Sequence, residues 1–406
     1  MNKSVKWLWL GGVLVLLGVF GAGVGLRPIL LGGCEIHGPE PGTIRAKPGP
    51  WGVLAYTPIY ISAPNEILPL RTMETQPIHW FFGGMSPADV HRTLSALGLS
   101  TEACDRLLPP AAITISPQGT QCIPIKAELQ VLAPAIRGAI YQLLAHFPEN
   151  GAEFKFIPTD KSIVLLNDRS VPSSTRDTIR QWSCGYGKYT LIYGFPCLLS
   201  AIPDPAEKTR LMKLVSRQDT YLLRLHITPE TDINALKDYW GRAFWALDVS
   251  AFLQSLKEVS AGTWLDVIEL LPPIPTALLY TYPLPQNPLN GPVRRHDCHW
   301  TTFNFFRDPA DERYADPNFV LEKLRNDFYP IYSDPRYGDV ILFSKPDGIT
   351  IHSAIFLADN FVYSKNGDTP LNPWIITTLP ELLDYYSFMV APDQQLTVSY
   401  FRNKHY

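Results

Sequence analysis

The 406-residue chain lacks most of the features that announce a function. It has no internal repeat, no phosphate-cradling glycine loop and no CxxC or HExxH-like spacing, which removes solenoid, P-loop and common zinc-site readings. Charge is scarce, at 18% of residues with a net of −3, so the total charge favours neither nucleic acid nor an anionic membrane surface. Few charges and 38 prolines argue against a coiled coil or helical bundle and for many short elements joined by extended connections. Apolar residues, by contrast, make up 46% of the chain, ample for real cores and incompatible with wholesale disorder. The length admits two domains plus an appendage.

The appendage is at the start. After Lys3 and Lys6, the run from Trp7 to Leu26 carries no charge, and about 20 apolar residues at 1.5 Å each cover a bilayer's hydrocarbon core. With only Arg27 just after it, the positive-inside bias predicts a transmembrane helix over residues 1–26 with the bulk outside. A cleaved signal peptide is the alternative. Leu31-Gly32-Gly33-Cys34 also resembles a bacterial lipobox, in which the cysteine is lipidated and the preceding segment removed, although Arg27 and Pro28 interrupt the run before it. An exported chain sits where disulfides persist, and the six cysteines space into two local loops, Cys104 with Cys122 and Cys184 with Cys197. Cys34 and Cys298 are then left single; six buried thiols are the other reading.

Residues 27–76 read as a Pro/Gly-rich spacer containing one strand-like run, VLAYTPIYIS. Residues 77–285 alternate short helices and strands, predicting a mixed α/β domain. Ser86-Pro87-Ala88-Asp89 is a helix-start signature, Ser100 caps a second short helix, and a longer helical pattern covers Lys126 to His146. His226, in an apolar strand pattern, is expected to be a structural histidine, and the run Asp238 to Trp240 a core feature.

Residues 286–406 hold the chemistry. In Arg294-Arg295-His296-Asp297-Cys298-His299-Trp300, Asp297 suits a helix cap and places the Cys298 thiol in the first turn, where backbone N–H groups favour thiolate and offer part of an oxyanion hole. Arg294 and Arg295 suit a substrate carboxylate or form a solvated basic pair. Tyr337-Gly338-Asp339 leads into VILF, a turn at Lys345 to Gly348, and ITIHSAIFL, an Ala358-Asp359-Asn360 turn and FVYSKNG. Alternation sends His352, Ala354 and Phe356 to one face and Ser353, Ile355 and Leu357 to the other. A strand histidine meeting a helix-start cysteine is the arrangement a thiol nucleophile needs for its general base. A three-residue loop at 358–360 sets Asn366 opposite His352 with Ser364 on the same face; a two-residue loop brings Lys365 there instead.

The Asp-Cys at a helix start, the Gly-Asp before an apolar strand and the His-x-x-Ile-x-Leu strand together resemble the NlpC/P60 superfamily of papain-like cysteine hydrolases, over roughly Arg294 to Tyr386. The resemblance implies an α+β fold with a helix packed on a small antiparallel sheet. It implies amide cleavage, often of peptidoglycan stem peptides, with Cys298 as nucleophile and His352 as base, although the superfamily includes acyltransferases and inactive members. The family commonly has Ser-Gly where this chain has His299-Trp300. Its third, imidazole-orienting residue lies about a dozen positions after the histidine, at Ser364; Asn366 is the favoured orienter here, since a side-chain amide can accept the imidazole N–H. The expectation is therefore a membrane-tethered cysteine hydrolase acting on an amide, such as a cell-wall peptide, with no cofactor, metal or nucleic acid. The alternative is an inactive papain-like domain in an envelope binding or scaffold protein.

Overall fold

Proline and capping signals decide the local structure. Ser86 accepts the Asp89 N–H while the Asp89 carboxylate reaches back to Ser86, closing a capping box on the helix Pro87–Ala96. Ser100 caps Thr101–Leu107 by accepting the Ala103 N–H. The long helical pattern from residue 126 is two helices, Lys126–Val131 and Pro134–Leu144, because Pro134 has no N–H to continue the first and holds the residue before it extended. The computed structural model describes residues 42–283 and 296–405, apart from 152, 170, 243–245 and 391–393.

The architecture is α+β, with four small antiparallel sheets among the described residues. The strand Val53–Ile61, inside the expected spacer, pairs along its whole length with Gln218–Ile227, and Thr263–Asp266 continues that sheet. Residues 42–76 are therefore a working part of the fold rather than a spacer. His226 stacks on Trp264, ring centroids 4.4 Å apart, a cross-strand structural role.

One core gathers around Trp80, Tyr141 and Tyr193. A second joins Leu54, Leu223, Leu225 and Trp240 to Trp300, Phe305, Val340, Ile355 and Phe361, so apolar packing runs straight across the boundary expected near residue 285. Polar contacts cross with it. The Tyr239 hydroxyl donates to the Leu357 carbonyl at 2.8 Å, and the Thr220 hydroxyl to that of Ile376 at 2.8 Å. Trp240 donates to the Trp51 carbonyl, and of the run Asp238 to Trp240 the two aromatics are core while Asp238 is exposed.

The last sheet has six strands in the order Phe328–Ile331, Thr397–Asn403, Val340–Ser344, Thr350–Ala358, Phe361–Lys365, Trp374–Thr378. The strand nearest the chain end is thus an interior strand. It is pinned by Asp339, whose fully buried carboxylate takes Nε and Nη2 of Arg402 at 3.0 and 2.7 Å, Nη1 of Arg242 at 3.2 Å and the Arg336 N–H at 2.7 Å.

Two expectations need correction or fall outside the described residues. Neither disulfide forms: Cys104, Cys122, Cys184, Cys197 and Cys298 are all free thiols. Cys104 and Cys122 pack as small hydrophobes in the first core, and Cys184 points its sulfur towards the Gly138 carbonyl rather than towards Cys197 on its own buried helix. The apolar run from Trp7 to Leu26 and Cys34 lie outside the described residues, as do Arg294 and Arg295; among the described residues no helix is long and apolar enough to cross a membrane.

Burial leaves one carboxyl with an inverted pH response. Glu153, buried beside Tyr141, accepts the His79 N–H through Oε1 while Oε2 has no partner among the described residues, and burial pushes the group up to about 7. From its ordinary value near 4.5 up to about pH 7, the unfolded chain has lost this proton while the folded chain keeps it, so stability falls as pH rises through that window, by about 3 kcal/mol in all. Denaturant titrations across that range are expected to show this slope in the wild type and its loss in Glu153→Gln; parallel curves would contradict it.

Candidate functional site

Asp297 caps the six-residue helix Cys298–Phe303, its Oδ1 accepting the Trp300 N–H at 2.8 Å, so Cys298 occupies the first turn as its sequence context predicts. The helix packs on the strand Thr350–Ala358 through the face carrying Ile355 and Leu357, which share a core with Trp300, Phe303 and Phe305. On that face Ser353 accepts from His299 Nδ1 at 2.9 Å and donates to Thr302 Oγ1 at 3.0 Å. Trp374 donates to Thr301 Oγ1 at 3.0 Å and fixes the helix from the edge strand.

His352 points to the other face, among Ala354, Phe356 and Phe343, where the helix Leu379–Tyr386 covers it. The Tyr386 ring stacks on the imidazole with centroids 4.2 Å apart and planes 25° from parallel. Register decides what else meets it. The hairpin turn is the two residues Asp359-Asn360, with Asp359 at φ 54°, and Ala358 pairs with Phe361. A bulge at Leu357 then shifts the register, so that Phe356 pairs with Val362 and Ile355 with Tyr363. The extra residue restores the alignment that a three-residue loop would give, and Ser364 and Asn366, not Lys365, share the face of His352.

Those three residues form a chain of hydrogen bonds. His352 Nε2 lies 3.0 Å from Ser364 Oγ, and Ser364 donates to Asn366 Oδ1 at 3.2 Å. Because the hydroxyl's single proton goes to Asn366, Ser364 must accept from the imidazole, so Nε2 carries the proton and Nδ1 the lone pair. Ser364 is thus the direct orienter and Asn366 acts through it, one bond further than expected. Nδ1 is buried and has no partner among the described residues.

The thiol departs from the expectation of a helix-start thiolate. Cys298 is 5% exposed, and burial, with the adjacent Asp297 charge, pushes it up to about 12. The backbone N–H groups of Ser353 and His299 face the sulfur and oppose that shift without overcoming it. Six residues give a weak dipole, and loss of water outweighs it. Burial likewise drives His352 well below its ordinary value, the neighbouring His299 adding to the effect, so both groups are neutral near pH 7. No hydrogen bond joins Cys298 to His352.

Three residues here have surroundings that the sequence reading did not assign to them. Lys365 is fully buried, donates from Nζ to the Gly367 and Thr369 carbonyls at 2.7 and 3.3 Å, and lies 5.8 Å from the Trp374 ring. Burial lowers it to about 8, opposed chiefly by the nearby Asp368 carboxylate. His299 stands where the resembled family has a small residue and brings a half-buried ring that hydrogen-bonds Ser353. Tyr386 ends a helix that Thr378, Pro380 and Glu381 start, and nothing in that local signal sends its ring to the imidazole. No cluster of metal-ligating side chains occurs among the described residues.

No family model, no curated protein and no solved structure matches this chain. The site's meaning therefore rests on its geometry.

The hydroxyl chain fixes a tautomer that can be read directly. Nitrogen NMR of imidazole-labelled protein is expected to show His352 protonated at Nε2 through neutral pH. Ser364→Ala, leaving that buried N–H without an acceptor, should lower stability by about 1–3 kcal/mol in denaturant titration. A proton on Nδ1, or an unaltered stability in the variant, would contradict the arrangement.

Proposed function

We propose that the chain is a latent cysteine hydrolase: it cleaves an amide bond through a Cys298 thioester, with His352 as base, in a protein tethered at its N-terminus and exported to the cell envelope. The observation that carries this reading is His352. A buried imidazole normally satisfies both nitrogens, yet here one is committed to Ser364 and the other finds no partner among the described residues, on the residue preceding the one whose backbone N–H faces the Cys298 sulfur. The resemblance of Cys298 and His352 to the motif positions of NlpC/P60 hydrolases supports the same roles, and the packing of helix on antiparallel sheet is the arrangement those roles require.

The chemistry follows from the atoms. His352 Nδ1 takes the thiol proton as sulfur attacks the carbonyl carbon, and the Cys298 N–H and its neighbours at the helix start stabilise the oxygen that gains charge. The imidazolium then protonates the departing amine, which leaves a thioester. Water attacks the thioester with His352 again as base, releasing the carboxylate and restoring the thiol. Ser364 holds the ring throughout, and Asn366 holds Ser364. A cell-wall peptide is the substrate class this reading favours, with Arg294 and Arg295 placed in sequence to meet its carboxylate.

A second reading has its own observation. The thiol is buried and driven towards the neutral form, which suits an inert papain-like domain in an envelope scaffold.

The readings part at the covalent intermediate. Incubation of the full chain with peptidoglycan stem peptides, followed by acid quench and intact-mass measurement, is expected to show an acyl adduct on Cys298 that hydroxylamine removes. It should be absent in Cys298→Ser and should form about a hundredfold more slowly in His352→Ala. Neither adduct nor cleavage with any peptide amide or activated ester would favour the scaffold.

A further inference from the structure

One cavity is lined entirely by residues outside the six-stranded sheet, in the part of the chain whose role the sequence leaves open. It holds about 370 Å³, within the usual range for small-ligand pockets. The helix Pro205–Val215 supplies one wall. Leu211, Met212 and Val215 bury its other face in the first core, so the helical period turns Arg210 and Lys213 to the cavity, and Arg217, two residues past the helix end, joins them. Tyr60, on the strand Val53–Ile61, and Ser62 and Asn65 after it add a ring, a hydroxyl and an amide. Asp168 is the one carboxylate in the lining.

Charge around this cavity is unbalanced. Three cations meet one carboxylate there, in a chain whose net charge is −3. The neighbouring acids are already engaged: Glu207 pairs with Arg210 at 3.2 Å, and Asp219 with Lys161. Among the described residues neither Lys213 nor Arg217 has a carboxylate partner. Arg217 instead lies over the Tyr60 ring, 4.3 Å from its centroid, a contact that positions the guanidinium and leaves its N–H groups open to a ligand. The Ser62 hydroxyl and the Asn65 amide make no side-chain hydrogen bond among the described residues either. A helix C-terminus favours a nearby cation such as Lys213, but that dipole gives no reason for a hydroxyl, an amide and a ring to share a cavity with it.

We propose that this cavity binds a phosphate monoester of about monosaccharide size. Lys213 supplies a point charge and Arg217 a fork of donors, which together match the two negative charges of the phosphate near pH 7. Ser62 and Asn65 donate to its remaining oxygens, and the Tyr60 ring, 61% exposed, takes the organic part with Leu214. The site is independent of the roles assigned to Cys298 and His352, and it gives the region before the last sheet a function, capture of an anionic ligand.

Calorimetric titration of the full chain with glucose 6-phosphate at low ionic strength tests it, with inorganic phosphate as the charge alone and glucose as the neutral ring. Saturable binding of glucose 6-phosphate is expected, with weaker binding of inorganic phosphate and none of glucose. Lys213→Met and Arg217→Met should each weaken glucose 6-phosphate about tenfold or more, as loss of a charge-assisted hydrogen bond would. Lys237→Met, on the last turn of the helix Ile233–Trp240 and outside the lining, should leave it unchanged. Tyr60→Ala should weaken the sugar phosphate and spare inorganic phosphate. No saturation by about 10 mM, equal binding of glucose, or wild-type affinity in both cation variants with unchanged thermal midpoints would overturn the proposal. Should a cation variant unfold, competition in the wild type carries the comparison, and inorganic phosphate that fails to displace glucose 6-phosphate overturns it. Glucuronate, a ring of the same size with one negative charge, separates the ligand classes: binding as tight as that of the sugar phosphate would show a carboxylate site and overturn phosphate as the group recognised.

Discussion

The fold depends on a single buried carboxylate. Asp339 sits at the start of the strand Val340–Ser344 with no exposure to water, and it is tolerable there only because Arg242, Arg402 and the Arg336 N–H surround it. Each arginine comes from a different part of the chain. Arg402 brings the strand Thr397–Asn403 into the middle of the sheet, and Arg242 ties in the region that precedes the cysteine helix. Because neighbouring strands share register, this clamp also fixes the strand that carries His352. A motif that reads as a family signature in the sequence, Gly338-Asp339, is thus a structural keystone first.

Much of the local structure was legible because it follows from single-residue chemistry. Ser86, Ser100 and Asp297 cap helices where their side chains can accept an N–H. Strand alternation correctly placed His352, Ala354 and Phe356 on one face. The register at Ser364 and Asn366 was anticipated for a different reason than the one observed, a two-residue turn plus a bulge at Leu357, since bulges leave no mark in a pattern of apolar residues. The division of the pattern at Pro134 was written in the sequence and underweighted.

What was not legible is tertiary. Nothing local says that Val53–Ile61 pairs with Gln218–Ile227, that Lys365 is buried, or that Tyr386 stacks on His352. Cysteine spacing suggested loops of convenient length, whereas the thiols face different neighbours in different layers. The thiol's protonation failed for the same reason. A helix start argues for thiolate only if water or a cation remains near, and the packing that surrounds Cys298 removes the water.

The account's central claim is that burial, more than helix-start placement, sets the resting state of Cys298. The ultraviolet thiolate absorbance of the full chain, taken against pH as a difference from Cys298→Ser, tests it directly. The account predicts no thiolate signal at about pH 9, already above the ordinary thiol value near 8.5. A full thiolate signal at neutral pH would contradict it, and would mean that the cysteine stands open and charged.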